Sequence, residues 1–266
     1  MIPPGVIRRV SESTPLEDEL AYVWRKAMRG AGLNANELAE ECSVPPGELE
    51  KMLRESRPES LVRKAAEVLS LSADALLGLS RYRPVVPILH GISRLDMPFE
   101  EDSVNAWLVR DEDHALLFDT GYLADSATRL LAMIGVAEVE LFLTHDHRDH
   151  VGGITMLAPL LRKIHEIPQG QSLSFGSLRV KCIDLAGHCM PTSGYVISGL
   201  SRPVCVTGDA LFAGSIGGCA DAFAYQMALR NIRQHILTLP DDTILLPGHG
   251  PATTVGQERE NNPFLA

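Results

Sequence analysis

Apolar residues recur at two different periods along the chain. From Leu20 to about Leu79 they fall at helical spacing, as in Leu38, Ala39 and Cys42, in Leu49, Met52 and Leu53, and in Leu61, Ala65, Val68 and Leu69, with polar residues between. Asn34 suits an N-cap, Pro45 and Pro46 the first turn of the next helix, and Pro58 the start of another. The pattern predicts short helices joined by tight turns, and it stops at "SRYRPVVP", where two prolines break it. Beyond that point "VNAWLVR", "ALLFDTG", "VELFLT", "LRVKCIDLAG", "YVIS", "RPVCVTG" and "DTILLPG" predict strands. "LADSATRLLAMIG", "DHVGGITMLAPLL" and "AYQMALRNIRQHILTL" predict helices between them. Two domains are expected: an all-helical one over 1–82 and a mixed α+β one over 83–266.

Composition narrows the class. With 266 residues and 45% hydrophobic content the chain can fill a substantial core. Of the net charge of −10, a charge of −9 falls on residues 84–266, a surface that repels phosphate backbones. No apolar run reaches the roughly 18 residues of a membrane span, and the start lacks the apolar core of a secretion signal, so a cytoplasmic protein without a membrane partner is expected. The five cysteines are scattered without a C-x-x-C pair, which argues against disulfides and thiolate zinc sites.

Four predicted strands stop at residues able to hold a metal: "ELFLT" runs into His145, "VKCIDLAG" into His188, "PVCVTG" into Asp209 and "TILLPG" into His249. Loops leaving one edge of a sheet converge, so these side chains can surround one point. "THDHRDH" adds His147, Asp149 and His150. In an extended segment residues two apart point the same way, so His145 and His147 can grip one ion while Asp149 and His150, turning into the next helix, reach a second. Three histidines and two aspartates crowded on one loop would repel or protonate one another without a cation. Imidazole and carboxylate without thiolate suit zinc, iron or manganese, and seven ligands fit two divalent ions sharing a bridging carboxylate. His90, His114, His165 and His235 carry no assigned role.

In "THDHRDHVGG", "AGHCMPTSGY", "TGDALFAGSIG" and "LPGHGPATT", and in the closing "ERENNPFL", the chain resembles the metallo-β-lactamase superfamily in its compact glyoxalase II-like branch. The resemblance covers about Val85 to the end. It implies an αβ/βα sandwich with two metals at one edge: His145, His147 and His188 on the first ion, Asp149, His150 and His249 on the second, and Asp209 bridging. Asp119 in "LLFDTG" matches the family's early aspartate, which supports the His-rich loop from behind; a plain turn aspartate is the competing reading. Tyr195 is a candidate either for substrate contact or for strand packing. Cys189, beside a ligand, is expected to be a packed neighbour.

The implied activity is hydrolysis of small thioesters or activated esters, with zinc as the leading metal and Asp149 and Asp209 as the catalytic carboxylates. A water on the metals, acidified to a pKa of about 7, would attack the carbonyl. A thiolate then departs without a proton, which an amide nitrogen would need. Where glutathione-using members place a basic residue and a tyrosine, this chain has Gly218 and Ala220, and the C-terminal helical domain of longer members does not follow His249. Glutathione specificity is therefore not expected.

The stretch "GLNANELAEECSVPPGELEKMLRESRPESLVRKAAEVLSLSADALL" is similar to the Cro/repressor (XRE) type of helix-turn-helix, over about Leu20 to Leu79. The recognition segment of that family carries polar and basic residues near its start. Here it reads Pro45, Pro46, Gly47, Glu48, Glu50, and Ala35 stands where a phosphate-binding glutamine is common. The favoured role is folding, homodimerisation or partner docking, ahead of DNA reading. Two other functions stay open: a mononuclear iron persulfide dioxygenase using His145, His188 and Asp209, and a metal-dependent, ligand-sensing transcriptional regulator.

Overall fold

The computed structural model describes residues 6–9, 14–87, 89–99 and 102–266. Five short helices lead: α1 (Leu20–Ala31), α2 (Ala35–Glu41), α3 (Pro46–Glu55), α4 (Glu59–Val68) and α5 (Ala73–Gly78). Their ends follow local chemistry. The Asn34 side chain accepts from the Asn36 and Glu37 amides while Glu37 reaches back to the Asn34 amide, a reciprocal cap that satisfies the first turn of α2. Gly32 closes α1 at φ 69°, where a side chain would be strained. Pro45 and Pro58 stand just ahead of α3 and α4, as their fixed φ suits a helix start.

The rest is two six-stranded sheets. The first runs in the order β1 (Val6–Arg9), β2 (Ile92–Phe99), β3 (Asp102–Arg110), β4 (Ala115–Phe118), β5 (Val139–Phe142), β6 (Leu161–His165); its first three pairings are antiparallel and the last two parallel. The second contains β7 (Ser172–Phe175), β8 (Leu178–Asp184), β9 (Ser193–Ser198) and β10 (Val204–Gly208). A small hairpin follows, β11 (Leu211–Phe212) with β12 (Ser215–Ile216); then β13 (Ile244–Pro247) and β14 (Thr253–Thr254) extend the second sheet in the order β14-β13-β10-β9-β8-β7, with only β10 and β13 parallel.

Trp107, Phe118 and Phe142 from the first sheet meet Val180, Ile197, Val206 and Leu246 from the second in one apolar layer. Face-to-face sheets bury alternate residues of every strand in this way. Helix α6 (Ala124–Met133) and the short α7 (Arg148–Val151) and α8 (Ile154–Leu157) follow β4 and β5, and α6 and α8 cover the outer face of the first sheet. Helices α9 (Ala222–His235) and α10 (Val255–Asn261) lie on the outer side of the second. This is the expected αβ/βα sandwich, a mixed α+β architecture of four layers.

Several expectations need correction. "DHVGGITMLAPLL" is not one helix: Gly152 and Gly153 separate α7 from α8, Pro159 sits in a single 3-10 turn, and the chain then extends into β6. A Cβ at Gly152 would come within 2.5 Å of the Tyr122 carbonyl oxygen, so the backbones approach too closely there for a regular helix with side chains. Strands β1, β2, β6, β7, β11, β12 and β14 were absent from the sequence pattern; β6 and β7 are largely exposed and carry little apolar periodicity, and β11, β12 and β14 are two residues each.

The N-terminal part does not stand apart. β1 pairs with β2, Trp24 and Ala27 of α1 share an apolar cluster with Tyr225 and Ala228 of α9, and α5 packs on α10. At the expected boundary, the buried Tyr82 hydroxyl donates to Glu258 Oε1 at 2.7 Å. Among the described residues no helix is long and apolar enough to cross a membrane.

Candidate metal centre

The loops that follow β5, β8, β10 and β13 open at one edge of the sandwich and bring the seven sequence-predicted ligands together. Ligand atoms of His145, His147 and His188 form one group, and those of Asp149, His150, Asp209 and His249 a second, each within 4.8 Å. Asp209 lies against both. Its Oδ2 is 4.0 Å from His145 Nε2, 3.7 Å from His188 Nε2 and 3.5 Å from His249 Nε2, and its Oδ1 is 3.2 Å from His150 Nε2. Asp149 Oδ2 stands 3.2 Å from His249 Nε2.

Four imidazoles have their Nδ1 positions committed. His150 Nδ1 is 2.8 Å from Asp119 Oδ2, His145 Nδ1 3.0 Å from Thr144 Oγ1, His188 Nδ1 2.6 Å from the Gly218 carbonyl and His249 Nδ1 2.9 Å from the Ser103 carbonyl. Carbonyl and carboxylate oxygens only accept, so Nδ1 carries the proton at His150, His188 and His249. At His145 the Thr144 hydroxyl already donates to Asp119 Oδ2 at 2.8 Å, so it accepts there too. Each Nε2 faces the centre, where it would offer its lone pair to a cation.

Asp119 stands behind both His145 and His150, in the place where such a support would act. Its Oδ1 also accepts from the Thr144 amide at 2.8 Å, and its backbone adopts φ 62°, a left-handed conformation uncommon outside glycine and held here by these bonds. Glycines make room elsewhere: a Cβ at Gly248 would collide with Asp209 Oδ1, and one at Gly217 with the Asp209 carbonyl.

The residues present fit divalent cations. His150 Nε2 and Asp209 Oδ1 are buried without a hydrogen-bond partner. His147 Nδ1 is 3.1 Å from His145 Nε2 and 3.2 Å from His188 Nε2, three acceptor-capable nitrogens that a cation would satisfy together. Electrostatics agree. Burial holds the His145 imidazole down to about 4. At His150 and His249 burial also opposes charge, yet the carboxylates, Asp209 foremost, push the rings up to about 10 and 11. Buried Asp209 is held well below the usual carboxylate range by His150 and His249. The cluster calls for positive charge at its heart, in the place two ions would take.

Above the ligands lies an open cleft of about 750 Å³. Phe99 and Phe212 flank His249, with ring centroids 6.4 and 5.8 Å away. Glu17, Asp18 and Lys26 line the same cleft from the N-terminal part. Sequence reasoning missed these three, since no local motif marks them. It also missed Asn105 and Trp107, whose side chains donate to the Pro247 carbonyl at 3.1 and 2.8 Å and so pin the loop carrying His249. Only the strand pattern of "VNAWLVR" hinted at their burial.

Tyr195 is elsewhere. Its ring packs against Phe118 and Phe142, each with centroids 5.5 Å apart, and its hydroxyl donates to the Leu143 carbonyl at 2.6 Å; it does not line the cleft over the ligands. Packing, the second of its two readings, is what the structure supports. Cys189 is half-buried, with its thiol raised by burial, and its sulfur lies 3.5 Å from Asp146 Oδ1.

Comparison with known proteins agrees with this geometry. Residues 100–183 match the family described as the metallo-beta-lactamase superfamily. A probable metallo-hydrolase, YqgX of Bacillus subtilis, is 26% identical over 204 residues, covering 64% of this chain and 95% of that protein. Hydroxyacylglutathione hydrolase GloC of Haemophilus influenzae is 28% identical over 190 residues, covering 58% and 89%. Among solved structures, the BLEG-1 B3 metallo-beta-lactamase superposes with a TM-score of 0.55 at 26% identity, covering 65% of this chain and 99% of that one. Fold, ligand set and relatives together liken the chain to the metallo-hydrolases of the metallo-β-lactamase superfamily, with glyoxalase II-like proteins among its homologues.

Proposed function

We propose that the chain is a two-metal hydrolase of small acyl thioesters or related activated esters, with zinc as the leading metal. The observation that carries this reading is the pair of ligand groups joined at Asp209, four of whose imidazoles have Nδ1 held by an oxygen and Nε2 left on the side of the centre for an ion. Bound divalent ions would supply Lewis acidity and a water that ionises near neutral pH. The protein's own part is positional. Asp119 and Thr144 hold His145 and His150, the Gly218 and Ser103 carbonyls hold His188 and His249, and Asp149 lies against His249. Phe99 and Phe212 give the cleft apolar walls that shed water from a short acyl chain.

In the net reaction the water oxygen bonds to the acyl carbon, the carbon–sulfur bond breaks, and the thiolate takes its proton from solvent. Hydroxyacylglutathione hydrolases are relatives, but Gly218 and Ala220 offer no side-chain cation or hydroxyl for a glutathione backbone, so a smaller thiol is favoured.

A second reading, a one-iron persulfide dioxygenase, draws on His145, His188 and Asp209, with the Nε2 atoms of the two histidines 4.0 and 3.7 Å from Asp209 Oδ2. The equally complete group of Asp149, His150 and His249 favours the two-metal form. Metal content of the purified and zinc-reconstituted chain, followed by a panel of thioesters, lactones and persulfides, tests the choice. About two ions per chain with thioester turnover is expected, and Asp209→Ala should lose turnover and metal together while Cys189→Ala keeps both. One iron per chain with sulfide-dependent oxygen uptake would overturn it, as would full turnover in the Asp209 variant.

A further inference from the structure

The cleft over the metal ligands is closed on one side by a helix from outside the sandwich. α1 is anchored through its buried face, where Gly30 leaves just enough room for the Tyr225 ring of α9, since a Cβ there would strike it. This anchoring brings Lys26 to the cleft, the only lysine or arginine among the described residues that line it. The Lys26 ammonium donates to the Asp18 carboxylate and, at 2.7 Å, to the Ile216 carbonyl of β12. Its Nζ lies 5.1 Å from the Phe212 ring centroid, and a Cβ on Gly218 would meet its Cε at 3.9 Å. Gly218 is in turn the residue whose carbonyl orients His188.

Two of the three ammonium protons have acceptors among the described residues, and the third is left for a ligand. Asp18, buried and also bonded by the Ser215 hydroxyl, serves as the fixed counter-charge that holds the ammonium in place. A side chain that is 16% exposed keeps its charge partly desolvated, where an ionic hydrogen bond is stronger than at an open surface.

From this geometry we infer that Lys26 is a specificity residue of the cleft, taking a carboxylate on the substrate, so that the preferred substrates are short acyl thioesters or esters that bear a second, anionic end. The inference rests on the hydrolase reading above and deepens it. It also gives the helical segment a task in the same site: α1 is a wall of the cleft.

The test compares two thioesters of one small thiol, S-acetyl- and S-succinyl-N-acetylcysteamine, on the zinc-loaded full chain. Lys26→Met should raise KM for the succinyl ester about tenfold or more, as expected for loss of one charge-assisted hydrogen bond, while the acetyl ester stays within about twofold. Lys26→Arg should restore most of the difference. Calorimetric binding of succinate, independent of turnover, should weaken in parallel in Lys26→Met and recover in Lys26→Arg, with metal content unchanged in both. Equal losses on both esters with a lowered Tm would make Lys26 a brace for α1 only, and unchanged KM values and succinate affinity would also overturn the proposal. If the wild-type chain hydrolyses neither ester, the hydrolase reading is what fails, and succinate affinity in the two variants still decides the role of Lys26.

Discussion

The Asp119 carboxylate receives three hydrogen bonds, from the Thr144 amide, the Thr144 hydroxyl and the His150 ring, and through Thr144 it also fixes His145. One acceptor-only group therefore sets two ligands, one in each metal group. An amide at this position has a single acceptor oxygen, and its NH2 would face either the Thr144 amide N–H or the Thr144 hydroxyl together with the His150 Nδ1–H. Asp119→Asn should accordingly weaken metal affinity by about 10–100-fold with the fold retained. Competition against a chelator, read with circular dichroism on the same samples, checks both halves of that statement. Retention of wild-type affinity would return Asp119 to a simple turn residue.

At the scale of elements, the two ends of the sandwich are built differently. The ligand end is set by loops following β5, β8, β10 and β13; the opposite end is tied by Asp111 in the turn from β3 to β4. Its carboxylate accepts from the Asp113 and His114 amides at 3.0 and 2.8 Å, and from the Ser177 amide and hydroxyl, both at 3.1 Å, in the turn between β7 and β8. One side chain thus links a hairpin of each sheet. Burial works against the charge, but these donors bring the carboxyl down to about 2. A folded-state pKa below the unfolded value of about 3.9 means stability that is present above that value and lost as pH falls from about 4 through 2. Asp111→Asn should therefore cost about 1–2 kcal/mol at pH 7 and distinctly less near pH 2.5. Urea unfolding of both proteins at the two pH values measures it, and an equal cost at both would remove the carboxylate from the account.

For the whole molecule, the position of the helical segment bears on what it does. Its inward side is joined to the second sheet's helices and to the cleft. Its outward side includes α3, where Glu48, Glu50 and Glu55 are exposed beside Lys51 and Arg54. Lys51 is drawn toward Glu55, 4.0 Å away. Carboxylates on the helix that would enter a major groove oppose phosphate binding. We expect the metal-loaded chain to give no sequence-selective retardation of DNA taken from upstream of its own coding region at about 0.1 M salt. Selective, salt-sensitive retardation would favour a regulator that senses a ligand through its metal domain.

The chain's own order of residues determined the periods of its helices and half of its strands, and it displayed all seven candidate ligands, because the chemistry of those side chains is local. An H-x-H-x-D-H run or a strand ending in Gly-Asp is legible without knowing what faces it. Asp119 was half legible, since a turn aspartate and a ligand support look alike until Thr144 and His150 are seen against it. Tyr195 was undecided for the same reason, and the packed Phe118 and Phe142 rings settle it. The broken helix after His150 depended on a carbonyl of Tyr122 approaching Gly152, and the pinning of the His249 loop on Asn105 and Trp107, more than 140 residues earlier. Lys26 and Ile216 are 190 positions apart, and only packing of α1 on α9 brings a cation to the metal cleft. Which groups can bind a metal is a property of residue type, whereas which distant charge stands beside them is decided by how apolar faces close on one another.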